Sequence, residues 1–250
     1  MKQKVYNLII LDESGSMQLI AEQAVSGLNE TLQSIVTAQG EHEDQEHYVS
    51  FVTFNSARIR TVMDRRKVEV GKKLSWTDFF PNNCTPLFDA MGQSISELRR
   101  NISDDDVVLV TIITDGMENA SKEYNGATIK KMVSDLKEKG WLFVYIGTNQ
   151  DVDAVADSMG IRSRQCFEYS DTGAQAMLCE ERTRRRRFYG DLSRFGKSIL
   201  EEDSYDYYGG EDVEQTRKEK ELRDKTSMSI GSGDKKSGGL FRKIKNLINK

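Results

Sequence analysis

The chain has 250 residues, with 36 basic against 40 acidic side chains and a formal net charge of −4. That length suits one domain with a full core plus an extension, and the near-balanced charge leaves no electrostatic footprint for nucleic acid or membrane. Cys84, Cys166 and Cys179 are widely spaced, odd in number and without a C-x-x-C pair, which argues against a disulfide framework or a cysteine zinc site and predicts reduced thiols.

Met1–Lys4 precede an apolar run that Asn7 interrupts and Asp12 ends, with no small-residue cleavage site after it. This pattern predicts a first strand and not a secretory signal. No stretch approaches the ~20 apolar residues that span a bilayer, so a cytoplasmic location is expected.

In chain order, Val5–Leu11 reads as a buried parallel strand that delivers Asp12 to its carboxyl end. The loop Asp12-Glu13-Ser14-Gly15-Ser16 then offers three oxygen side chains at alternate positions, hard donors of the kind Mg²⁺ takes. Ala24, Leu28, Leu32, Ile35 and Val36 recur at helical spacing, and Gly40 is expected to end that helix. Glu41–His47 reads as a solvated loop, because His42 and His47 do not share a helical face. Tyr48–Phe54 predicts a second strand, and Asp64-Arg65-Arg66-Lys67 a hairpin turn between Ile59–Met63 and Val68–Val70.

Asn82-Asn83 predicts a turn, and Pro86 places Thr85 at or near the N-cap of a helix carrying Leu87, Met91, Ile95 and Leu98. Asp104–Asp106 reads as a charged turn before Val107–Thr114, the most apolar run, which ends at Asp115-Gly116. A helix with Ile129, Met132, Val133 and Leu136 stops at Gly140, and Trp141–Ile146 is a further buried strand. A short helix through Val152–Met159, an edge strand at Cys166–Tyr169 and a terminal helix over Ala174–Phe188 complete the pattern. Strands alternating with helices predict an α/β fold: a Rossmann-like, doubly wound, mostly parallel sheet with one antiparallel edge strand, and ligands at the strands' carboxyl ends.

The set Asp12-x-Ser14-x-Ser16, Thr85-Pro86-Leu87-Phe88-Asp89-Ala90 and Thr114-Asp115-Gly116 resembles the metal-ion-dependent adhesion site of von Willebrand factor A (VWA) domains. The resemblance spans roughly Lys4 to Arg187. Over Thr114–Ser121 the chain is most similar to bacterial single-domain cytoplasmic members, including those encoded with tellurite-resistance systems. Asn82-Asn83-Cys84 stands where that family often has glycines.

The resemblance implies that Asp12, Ser14, Ser16, Thr85 and Asp115 hold Mg²⁺ or Mn²⁺. It further implies that an Asp or Glu of a protein partner completes the shell. Glu13 and Glu118 flank the ligands; they are candidate partner contacts, or solvated loop carboxylates. A Mg²⁺-dependent phosphohydrolase on a similar sheet is an alternative, but no nucleophile or catalytic base is recognised and an enzyme is not expected. A nucleic-acid-associated VWA protein would have to use Arg184–Arg187. With Glu180 and Glu181 adjoining and no aromatic interleaving, that run reads as a solvated helix face.

The domain is placed at residues 1–189, followed by a charged, Gly/Ser-rich disordered linker over 190–239. Residues 240–250 carry Leu240, Phe241, Ile244, Leu247 and Ile248 on one stripe with basic residues off it. This amphipathic helix is a candidate second contact to a partner or to an anionic membrane surface. A monomer is expected.

Overall fold

The computed structural model describes residues 2–68, 79–148, 151–167, 171–203 and 205–209. In chain order these form β1 (Gln3–Asp12), a 3-10 turn (Gly15–Ile20), α1 (Ala21–Glu41), β2 (Gln45–Asn55) and β3 (Arg58–Lys67). There follow α2 (Leu87–Arg99), β4 (Val107–Thr114), α3 (Gly126–Lys137), β5 (Trp141–Gly147), α4 (Val152–Ser158) and β6 (Ser163–Cys166). Helix α5 (Asp171–Phe195) and a second 3-10 segment (Gly196–Asp203) close the described part. The strands lie in the order β3-β2-β1-β4-β5-β6, all parallel except for the antiparallel edge pair β2–β3. This is the doubly wound, mostly parallel α/β sheet with one antiparallel edge that the alternating pattern predicts.

Strands β1, β4 and β5 read as nearly continuous apolar runs, broken at Asn7 and Thr111, because both faces of the sheet are covered. Tyr6, Leu8 and Ile10 of β1 join Val108, Val110 and Ile112 of β4 under α2, α3 and α4, whose inward residues include Leu87, Met91, Ile129, Val133 and Val152. On the opposite face α1 packs against α5. That face mixes apolar Val5 and Ile9 with buried Asn7, His47 and Thr111.

The polar side chains on the α5 face are tied together. Arg185 is fully buried and donates to Glu181 Oε1 at 2.5 Å, Thr111 Oγ1 at 2.7 Å and Asn7 Oδ1 at 3.3 Å. The Tyr189 and Tyr207 hydroxyls donate to Asn7 Oδ1 at 2.6 Å and Glu181 Oε1 at 3.0 Å. A buried ion pair survives only when hydrogen bonds replace the lost water, and these strand and helix groups supply them.

Several boundaries differ from the expected ones. Gly40 lies within α1, which runs on to Glu41. The β2–β3 turn falls at Ser56-Ala57, where Asn55 Oδ1 accepts from the N–H groups of Ala57 and Arg58. Asp64–Lys67 is therefore strand and not turn, with irregular pairing opposite Ser50 and a positive φ of 40° at Arg65. The edge strand β6 begins at Ser163, earlier than Cys166, and residues 168–170 lie outside the described part.

His47 is not in a solvated loop. It is fully buried in β2, edge-on to Tyr189 at 4.6 Å, because Gln45, His47 and Val49 alternate inward. Nor is Arg184–Arg187 solvated throughout: Arg186 is exposed and pairs with Glu41, but Arg185 is core, and the Arg184 and Arg187 side chains donate to the Gly209 carbonyl. Those bonds hold a segment in which Tyr205 and Tyr207 are buried. The compact unit therefore runs to Gly209, and residues 190–209 belong to it and not to a linker. The remainder of the expected linker, 210–239, and the expected helix 240–250 lie outside the described residues. No helix among the described residues is long and apolar enough to cross a membrane.

Candidate functional site

Strand order reverses at β1: its successor β2 lies on one side and β4 on the other. A crevice opens at the carboxyl ends of two strands that diverge in this way. Asp12 closes β1 and Asp115 follows β4, so the sheet itself brings the two carboxylates to that crevice. Asp12 Oδ1 accepts from the Ser14 N–H at 2.7 Å, and its Oδ2 accepts from the Thr114 hydroxyl at 2.6 Å. The Ser16 hydroxyl donates to Asp115 Oδ1 at 2.7 Å and lies 3.2 Å from the Ser14 hydroxyl.

Thr85 reaches the same point from a third loop. It sits one residue before Pro86, the N-cap of α2. Asn119 holds its backbone from both sides: Asn119 Oδ1 accepts from Thr85 N–H at 2.9 Å, and Asn119 N–H donates to the Thr85 carbonyl at 3.1 Å. A Cβ on Gly116 would stand 2.7 Å from Thr85 Oγ1 and 3.4 Å from Asp12 Oδ2, so both oxygens border one small space that glycine leaves open. Asn83, with φ at 65°, makes the predicted turn, and its carbonyl accepts from Gly15 N–H at 3.0 Å. The structure thus brings together all five oxygen residues that the sequence singles out.

Glu118 and Asp89 hold the loop after β4 to α2. Glu118 accepts from Ala120 N–H at 2.9 Å, from Ser121 N–H and its hydroxyl at 2.7 Å each, and from Phe88 N–H at 2.9 Å. It thereby caps a helix whose own N-cap, a proline, offers no side-chain acceptor. Asp89 accepts in turn from the N–H groups of Lys122, Glu123 and Tyr124.

Glu13 is fully buried, with Oε1 2.5 Å from Phe80 N–H and the Arg58 and Arg60 guanidiniums 3.5 and 3.6 Å from its carboxylate. Neither glutamate is a solvated loop carboxylate. Both are fastenings, and Glu13 is too deep for a partner to touch. Sequence reasoning misses the roles of Thr114 and Asn119. The inward parity that Thr114 shares with Val108, Val110 and Ile112 is the signal that could have found it. Leu240, Phe241, Ile244, Leu247 and Ile248 lie outside the described residues.

The donor chemistry fits a hard divalent cation. Two carboxylates and three hydroxyls give a set of oxygens whose charge balances M²⁺. Among the described residues no three His, Cys, Asp or Glu side chains gather as a metal cluster, so the set is of the lightly charged kind. Burial pushes the Asp12 carboxyl up to about 6, and among the described residues no basic side chain pairs with it. A desolvated carboxylate without a counter-charge is costly, and a cation at the shared space would offset that cost.

No protein-family model matches the chain, and no curated protein matches it. Solved structures do. A von Willebrand factor type A protein from Catenulispora acidiphila aligns over 76% of this chain and 43% of its own length at a TM-score of 0.53 and 14% identity. The pilus adhesin SpaC of Lactobacillus rhamnosus GG aligns over 76% of this chain and 30% of its own, with TM-score 0.55 and 15% identity. The SpRpn10 VWA domain aligns over 72% of this chain and 95% of its own, with TM-score 0.52 and 10% identity. The chain spans less than half the length of the first two of these proteins and nearly all of the third, an isolated domain. At such identities the likeness concerns the fold, and the fold of this chain is that of a VWA domain.

Proposed function

We propose that the chain is a metal-dependent protein-interaction module. Asp12, Ser14, Ser16, Thr85 and Asp115 hold Mg²⁺ or Mn²⁺, and an Asp or Glu of a protein partner completes the shell. Bound there, the cation supplies an open electrophilic position for a carboxylate oxygen. The observation that carries this reading is the meeting of five oxygen side chains from three loops, around a buried carboxylate that has no basic partner among the described residues.

The side chains around the set favour binding over hydrolysis. Glu13 and Glu118, next in sequence to the ligands, are spent on backbone N–H groups and so are poor candidates for a general base. Arg185 is buried and Arg184 and Arg187 hold the chain's own backbone, which disfavours that run as a phosphate contact. A cytoplasmic module similar to the bacterial tellurite-resistance-associated members is the setting that Thr114–Ser121 supports.

Capture of partners from the native host tests the reading. It should fail in EDTA, return with Mn²⁺, and be weakened by Thr85→Ala without loss of stability. Capture that persists undiminished in EDTA contradicts it.

A further inference from the structure

Three large apolar side chains stand in solvent among the described residues: Leu19, Met117 and Phe80, at 79%, 63% and 51% exposure. Exposed apolar residues scattered singly over a surface need no explanation. Each of these stands within a few residues of a candidate ligand in the chain. Leu19 follows Ser16 in the 3-10 turn Gly15–Ile20 and points outward, whereas Met17 and Ile20 of the same turn are buried. Met117 follows Asp115-Gly116, and Phe80 precedes the Asn82–Thr85 loop. Each therefore lies on a different one of the three chain segments that supply the oxygen set.

Phe80 is held in place. Its N–H donates to buried Glu13, and its ring lies under the Arg58 guanidinium at 5.5 Å. Arg58 is itself 42% exposed in its side chain and brings positive charge to the same rim.

We propose that Leu19, Phe80 and Met117 form an apolar rim that selects a partner loop carrying a carboxylate between apolar side chains. The proposal deepens the metal-dependent reading and rests on it. A carboxylate alone is poor recognition, since every protein surface bears many. An apolar collar excludes water from the contact, strengthens the attraction between carboxylate and cation, and adds area that a polar acidic loop does not bury. The charge of Arg58 favours an acidic segment over a basic one.

Three labelled synthetic peptides test this in Mn²⁺ by fluorescence anisotropy. One has a central glutamate flanked by leucine and phenylalanine, one the same glutamate flanked by serines, and one glutamine in place of glutamate between the apolar flanks. The apolar-flanked glutamate peptide should bind about tenfold or more tighter than either of the others, the scale of a few buried methylenes. The triple variant L19S/F80S/M117S should bring it down to the serine-flanked level while its Mn²⁺ affinity by calorimetry stays that of wild type.

Equal affinity for both flanks, or a triple variant that binds as wild type does, overturns the rim. Sedimentation showing a dimer that the triple variant dissolves assigns the face to a second copy and overturns it too. Failure of the wild type to bind Mn²⁺ sinks the metal reading beneath it, and calorimetry tells that failure apart.

Discussion

Asp12 illustrates a conflict between stability and function at a single side chain. Folding takes its carboxylate out of water, and two neutral donors, Ser14 N–H and the Thr114 hydroxyl, are what it receives. Asp12→Asn keeps the shape and removes the charge, so in metal-free buffer its melting temperature should equal or exceed that of wild type. Saturating Mn²⁺ should raise the melting temperature of wild type alone; thermal scans of both proteins decide it.

Gly116→Ala places a methyl 2.7 Å from Thr85 Oγ1 and should weaken Mn²⁺ by about tenfold or more with the fold retained, read by calorimetry. Asn119→Ala frees the Thr85 backbone and should act in the same direction, less strongly.

His47 gives a pH dependence. Burial lowers it from 6.5 to about 4, and neither ring nitrogen has a hydrogen-bond partner among the described residues. The unfolded chain therefore takes up a proton first as pH falls. Stability from the neutral ring is full above about 6.5 and is lost as pH falls toward 4, a change of about 3 kcal/mol. His47→Phe should flatten the fall in denaturation midpoint between pH 7 and pH 4.5; an unchanged fall would assign acid lability elsewhere. The candidate residues Asp12 and Asp115 are legible in the sequence because each directly follows a long apolar run. His47 is not, because the acidic residues around it hide the alternation of Gln45, His47 and Val49.

At the scale of elements, the same contrast separates what pattern reveals from what packing decides. Periodicity places β1, β4, β5 and the helices α2 and α3, whose apolar faces come directly from spacing. It places a helix at α5 too, but not the side of it that is buried, and it misses the segment after it. A helix carrying Arg184–Arg187 looks solvated, yet Arg185 is turned into the sheet by Asn7 of β1 and Thr111 of β4, partners distant in the chain.

Arg185→Met leaves Glu181 charged and buried, and should cost about 3–5 kcal/mol in chemical denaturation. The segment from Gly196 to Gly209 looks like linker because its composition is polar, while its aromatic residues, Tyr205 and Tyr207, carry the packing. A chain ending at Gly209 should therefore melt within a few degrees of the full one. A chain ending at Tyr189 should lose cooperative unfolding altogether. Equal melting of the two truncations would contradict the role given to this segment.

For the whole molecule, the topology explains why the candidate site lies where it does. The chain leaves β1 for β2 on one side and returns to β4 on the other, so the loops after β1 and β4 part and leave their carboxyl ends open. Asp12 and Asp115 come from those ends, and the loop before α2 closes the third side. Strand order is not legible in the sequence alone, since several orders suit the same alternation of strands and helices. The expected doubly wound sheet leaves that order open, and the pairing of β1 with both β2 and β4 fixes it.

The central claim, that this meeting point holds a divalent cation, is tested most directly by titrating Mn²⁺ calorimetrically into wild type and Asp12→Asn side by side. The account predicts one modest-affinity site per chain in wild type and none in the variant, with identical circular dichroism. Equal binding by both proteins, or none by wild type, would contradict it.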